Sequence, residues 1–433
     1  MLLYSTTDRN WRQPLSHCVM EALAPDKGLY MPEKIPVLEA SFFERFHTLT
    51  FPELCVELAQ HWLGGAVEAS ALKKITETAF DFPVVLHEVS KGIYSLELWH
   101  GPSLAFKDFG ARFMAGLMAY FNEKTEKPLT ILVATSGDTG GAVAAGFLDV
   151  EGIEVIILYP SGKVSDLQEK QLTTLGKNIT ACEIKGSFDD CQALVKEAFL
   201  DGELKAHYKL SSANSINIAR LIPQSFYYFE ACRQWQGNGK WVCSVPSGNF
   251  GNLTAGLMAK KMGLPIHHFI AATNLNHVVP DYLETGRFEA RPSVSTLSNA
   301  MDVGNPSNFV RLTELYDGDV NKLRADLSGF WATDNETRTE MKRVYDTCGY
   351  IMDPHGAIGH LALRSYLETH GGSGFFLETA HPAKFIDTVE TAIGQKPPIP
   401  ARLLELAEKP KTAHSLGTKY QEFKSFLLSR KSK

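Results

Sequence analysis

The sequence predicts an α/β fold in which open, largely parallel sheets are covered by helices. Two observations carry this. Short apolar runs such as ILVA at 131–134 and VIIL at 155–158 suit strands buried on both faces. Such runs alternate with helix-length segments from about residue 90 onward, the signature of βα repetition.

In chain order, residues 1–88 differ from the remainder of the chain. Helix-like stretches at Phe51–Trp62 and Ala71–Ala79 are joined by Gly/Pro turns, which predicts a helical N-terminal module over 1–88. Residues 89–433 then form one open α/β region. Predicted strands are Ile93–Trp99, Leu129–Thr135, Val155–Tyr159, Ile179–Ile184, Trp241–Val245, His268–Thr273 and Phe375–Thr379. Predicted helices between them are Gly141–Leu148, Asp190–Phe199, Ile218–Trp235 and Leu253–Lys261.

Composition narrows the function. With 433 residues, 44% hydrophobic and 21% charged, the chain reads as an ordinary globular protein that buries a large core. A net charge of −6, with basic residues clustered only at 430–433, argues against nucleic acid as partner. No run of about 18 apolar residues suggests a membrane partner, and the first residues lack a secretory pattern. Seven cysteines without a CxxC pair suggest reduced thiols, no metal site and a cytoplasmic protein. Oligomeric state is not readable.

Three strand–loop–helix junctions carry chemistry, because ligands of open α/β sheets sit at the carboxyl ends of strands. Ser244 to Asn252 (SVPSGNFGN) leaves one strand and enters a helix. Gly248 and Gly251 allow close backbone approach, and several N–H groups then point outward at a helix N-terminus, a ready phosphate cradle without a basic residue. The alternative is a plain turn. Ala134 to Gly141 (ATSGDTGG) makes a second such loop, in which Thr135, Ser136, Gly137, Asp138 and Thr139 suit a substrate carboxylate or merely cap the helix. In HGPSLAFKDFG, Lys107 lies among Leu104, Ala105, Phe106 and Phe109. Apolar surroundings disfavour its charged form and free the amine to make a Schiff base, unless it is a snorkelling surface lysine. Dinucleotide, P-loop, zincin and nucleophile-elbow motifs are absent.

Taken together, HGPSLAFKDFG, ATSGDTGGAV, SANSINIARL, VPSGNFGNLTAG, NAMDVGNPSN and TAHPAKF resemble successive blocks of the threonine synthase family, in the family's order. GLYMP near residue 30 resembles the N-terminal module of its longer bacterial and fungal type. The resemblance implies a fold-type II enzyme that uses pyridoxal 5′-phosphate (PLP), with a small α/β domain at roughly 105–225 and a large one made of the rest of 89–433. It implies that Lys107 is the Schiff-base lysine and later moves protons, that Gly248, Asn249, Phe250, Gly251 and Asn252 hold the PLP phosphate, and that Thr379 meets the pyridine nitrogen. A hydroxyl there, unlike a carboxylate, would not keep that nitrogen protonated. Asn214, Ser215, Asn217 and Arg220 resemble residues that receive a substrate phosphate, a role that Arg's bidentate fork suits. Lys163 is a second candidate. An ionised Asp138 beside the PLP phenolate would be repulsive, so it is expected protonated or turned away. Asp353-Pro-His355 resembles a further block without an assigned role.

The implied reaction converts O-phospho-L-homoserine and water to L-threonine and phosphate, the last step of threonine biosynthesis, by γ-elimination and β-addition of water. Two other readings share these loops. One is a threonine-synthase-like phospho-lyase that gives 2-oxobutyrate. The other is a binding protein on a decayed scaffold, against which an intact Lys107 argues.

Overall fold

The computed structural model describes residues 1–123, 127–135 and 137–430. Its larger sheet has six strands, ordered Leu327–Trp331, His268–Thr273, Trp241–Pro246, Ser373–Glu378, Ile93–Glu97 and Val85–Ser90. All neighbours run parallel except the last pair, where Val85–Ser90 closes the edge antiparallel. A second sheet of five parallel strands runs His414–Leu416, Ile179–Ile184, Ile153–Pro160, Leu129–Ala134 and Lys209–Ser211. In its centre, Ile153–Pro160 and Leu129–Ala134 are buried along their whole length, as continuous apolar runs require. Every strand predicted from an apolar run is present, with bounds shifted by a residue or two.

Two features of the expected organisation change. The first 88 residues hold helices Phe51–Leu63 and Ala69–Ala79, but they also form a three-stranded antiparallel sheet from Arg12–Pro14, Leu2–Ser5 and Tyr30–Pro32. These strands are three or four residues long and lack sustained alternation, so periodicity does not announce them. The C-terminal tail, expected with the large domain, instead joins the five-stranded sheet. His414–Leu416 extends it beside Ile179–Ile184, and helix Tyr420–Ser429 buries Phe423 and Leu427 against Cys182, Ile184 and Leu194. Those two residues, four apart, form one apolar helix stripe that would otherwise face water.

The expected helix Ile218–Trp235 is also interrupted. Ile218–Leu221 passes through a 3-10 turn, Ile222–Ser225, before Phe226–Gln234. Pro223 has no amide to continue the α ladder.

Candidate active site

The carboxyl ends of strands from both sheets border one cleft of about 540 Å³. From the six-stranded sheet come the loop after Trp241–Pro246 and Thr379, which follows Ser373–Glu378. From the five-stranded sheet comes the loop after Leu129–Ala134. Lys107 opens the helix Lys107–Asn122 and lines the same cleft.

The loop at 246–252 is shaped to receive an anion. Gly248 runs so close to the opposite loop that a Cβ would sit 2.7 Å from Met301 Cα and 2.8 Å from the Ala300 carbonyl. Phe250 takes a left-handed conformation (φ 60°) and starts the helix Gly251–Lys261 without a side-chain cap. Among the described residues the amides of 248–252 make no hydrogen bond, which leaves them for a ligand. The asparagine side chains do not take that part. Asn249 donates to Ser215 Oγ at 2.5 Å and accepts from the Ser307 amide, while Asn252 donates to the Pro246 carbonyl and accepts from Ser247 and Leu253.

Lys107 faces this cradle with its side chain 18% exposed. Burial pulls its amine below the ordinary lysine value; Asp138 opposes that, Lys384 and Arg220 add to it, and Asp353 opposes it. A lysine so placed reaches its neutral, nucleophilic form more readily. Thr379 lines the cleft, and its hydroxyl makes no hydrogen bond among the described residues, so it can serve a ring nitrogen. A phosphate cradle, an activated lysine and a free hydroxyl in one cleft fit PLP in donor chemistry.

The second loop is held in part by its own hydroxyl. The Thr135 hydroxyl accepts from the amides of Gly137 and Gly140 at 3.0 and 2.8 Å, so it folds the loop on itself. Gly137 has φ 141°, a conformation that suits glycine, and helix Asp138–Phe147 starts beside it. Ser136 lies outside the described residues. Thr139 and Asp138 both line the cleft. Asp138 is not turned away: its Oδ2 lies 3.9 Å from Lys107 Nζ. Burial alone would push its carboxyl up, but Lys384, then Lys107, and hydrogen bonds from Lys384 and Gln168 hold it well below the usual carboxylate range.

Of the residues read as phosphate receivers, Asn214, Ser215 and Arg220 line the cleft. Arg220 is 3% exposed; Nη1 donates to the Ala213 carbonyl at 2.7 Å, and Nε is buried without a partner. Burial lowers its guanidinium to about 10, against a smaller opposing pull from Asp108. Asn217 does not belong to the site. It is fully buried, caps helix Ile218–Leu221 through the Ala219 amide, and donates to the Val19 carbonyl. Lys163 stands exposed in the loop after Ile153–Pro160, away from the cleft lining.

Several residues that sequence reasoning leaves without a role meet here. His355 lines the cleft; its Nε2 accepts from the Ala300 amide at 3.2 Å, so Nδ1 carries the proton given to Asp353 Oδ1 at 2.6 Å. Asp302 anchors the same 299–304 loop through Asn274 and Thr296. Lys384 lies just behind Asp138. The only signal for them in the sequence is their place in the NAMDVGNPSN, DPH and TAHPAKF blocks.

Residues 80–374 match the model of pyridoxal-phosphate dependent enzymes, 3–80 that of the threonine synthase N terminus, and 356–427 that of the threonine synthase C-terminal region. The threonine synthase of Serratia marcescens is 45% identical over 430 residues, covering 99% of each chain. The chain belongs to the threonine synthase family. It is thus a PLP-dependent enzyme of fold type II. The crystal structure of the family member from Escherichia coli superposes with a TM-score of 0.92 at 42% identity over 100% of both chains. The PLP-bound threonine synthase from Brucella melitensis gives 0.93 at 34% identity over 99% of this chain and 98% of that one.

Proposed function

We propose that the enzyme converts O-phospho-L-homoserine and water to L-threonine and inorganic phosphate. The observation that carries this is Arg220. A buried guanidinium with an unpartnered Nε lines the cleft that Lys107 faces, and the cradle at 248–252 offers a separate set of amides. One cleft then has places for two phosphates, the cofactor's on the amides and the substrate's on Arg220.

In this reading the amides of 248–252 would hold the PLP phosphate, Lys107 would hold the aldehyde carbon, and Thr379 would donate to the pyridine nitrogen. When bound, PLP offers an electron sink to the carbon from which a proton is taken. Lys107 would hold and move the protons at the α- and β-carbons of the substrate. Arg220, with Asn214 and Ser215, binds the leaving phosphate. The amides beginning helix Asp138–Phe147 orient the substrate carboxylate, helped by their helix-end position. A cytoplasmic setting belongs to the same reading. All seven cysteines are free, and among the described residues no helix is long and apolar enough to cross a membrane.

Homoserine tests the phosphate requirement. It should neither compete with O-phospho-L-homoserine at equal concentration nor turn over. Equal use of both compounds would remove the role given to Arg220.

A further inference from the structure

Asp138 stands between two lysines. Lys384 Nζ is 2.6 Å from its Oδ1, and Lys107 Nζ is 3.9 Å from its Oδ2. Gln168 Nε2 also donates to Oδ1, at 2.9 Å. The two lysines differ in placement. Lys107 lines the cleft, whereas the Lys384 side chain is 1% exposed, sits in the turn Pro382–Phe385 and gives a second hydrogen bond to the Ser103 carbonyl at 3.0 Å. A buried ammonium of this kind is strongly unfavourable unless a carboxylate faces it. Asp138 is that carboxylate, held also by Lys107, which needs to lose its proton before it can react.

We propose that Lys384 is a positioning residue that neutralises Asp138, so that Asp138 faces the cofactor site without acting as the counter-ion that would keep Lys107 charged. The proposal rests on the reading that Lys107 carries PLP. The pairing also removes the repulsion that a bare carboxylate would exert on an anionic group in the cleft. The groups that face Lys107 are Asp138, Lys384, Arg220 and Asp353; those that face Asp138 are Lys384, Lys107 and Gln168; Asp108 also acts on Lys384. Without Lys384, Asp138 would attract Lys107 alone, and an opposite charge at this range raises an amine by about 1 unit or more.

Capture of PLP by the apoprotein measures this without turnover. The neutral Lys107 amine adds to the aldehyde carbon, water leaves as the C=N bond forms, and the rate therefore follows the free amine. The capture rate is recorded by absorbance against pH for wild type, Lys384→Met and Lys384→Met/Asp138→Asn, and the modified lysine is located after borohydride reduction. Lys384→Met should move the midpoint up by about 1 pH unit, and the double variant should return it to the wild-type value or below. An unmoved midpoint in Lys384→Met, or a double variant displaced as far as the single one, overturns the proposal. If Lys384→Met does not fold, Asp138→Asn is read instead. It leaves Lys384 uncompensated beside Lys107, so the midpoint should fall by about 1 unit, and an unchanged midpoint overturns the proposal. Borohydride labelling of a lysine other than Lys107 would reject the cofactor assignment, and the proposal with it. Labelling at Lys107 with an unmoved midpoint would reject the proposal alone.

Discussion

The amide of Phe106 donates to the carbonyl of Thr379 at 2.8 Å. One backbone hydrogen bond thus ties the residue before Lys107 to the residue that follows strand Ser373–Glu378 of the larger sheet. An isolated bridge between Ala105 and Ala380, and the His381 amide on the Leu104 carbonyl, extend the tie on either side. Leu104 accepts a left-handed backbone (φ 59°) within this segment. The lysine and the free hydroxyl are therefore held on one rigid frame, although 272 positions separate them in sequence.

Thr379→Val keeps this backbone tie and the side-chain shape but deletes the hydroxyl. A ring nitrogen left without its donor in a dry site should weaken PLP binding several-fold, at a cost of about 1 kcal/mol or more. Thr379→Asp should instead favour a protonated ring and alter the ratio of products, since an adjacent carboxylate stabilises the charged form. Equilibrium PLP titration and product analysis read both. Wild-type affinity and product ratio in both variants would reduce Thr379 to a packing residue.

Arg220→Lys retains the charge and loses the fork. The loss of a charge-assisted hydrogen bond to the substrate phosphate should lower kcat/KM about 10- to 100-fold, with PLP affinity unchanged. Steady-state kinetics with PLP titration on the same sample measures both. An unaltered kcat/KM would place phosphate recognition elsewhere in the cleft.

Glu378 precedes Thr379 and is fully buried, and neither carboxyl oxygen has a partner as an ionised group. Burial raises its carboxyl well above the ordinary value, and the neighbouring Asp353, then Glu97, push it further. The native state therefore keeps a proton that the unfolded chain loses near about pH 4.5. Stability from this group is full below that pH and declines as pH rises toward the folded midpoint, because the folded form binds the extra proton. Glu378→Gln keeps a donor toward Asp353 and cannot ionise. Its melting temperature should fall less between pH 6 and 9 than that of wild type. Parallel curves would show that Glu378 does not hold the proton.

Sequence reading reaches the central strands because 131–134 and 155–158 are unbroken apolar runs, and only a doubly covered strand uses such runs. It misses Arg12–Pro14, Lys209–Ser211 and His414–Leu416, strands of three residues at sheet edges, where polar side chains are tolerated and no period develops. The cradle at 248–252 is legible because closely spaced glycines at a strand end point to close backbone approach. Asn217 is read as a ligand residue because it is polar and lies in the SANSINIARL block, while its geometry makes it a helix cap. Lys384 and His355 escape because their meaning depends on Asp138 and Ala300, far away in sequence and adjacent only after folding. The ionisation of Asp138 depends on the same distant partner.

The most direct test of the account is the product formed when the PLP-loaded enzyme meets O-phospho-L-homoserine. Amino-acid analysis and a phosphate assay on the same reaction should find L-threonine and inorganic phosphate in equal amounts. Phosphate accompanied by 2-oxobutyrate and ammonia in place of threonine, or no phosphate at all, would contradict it.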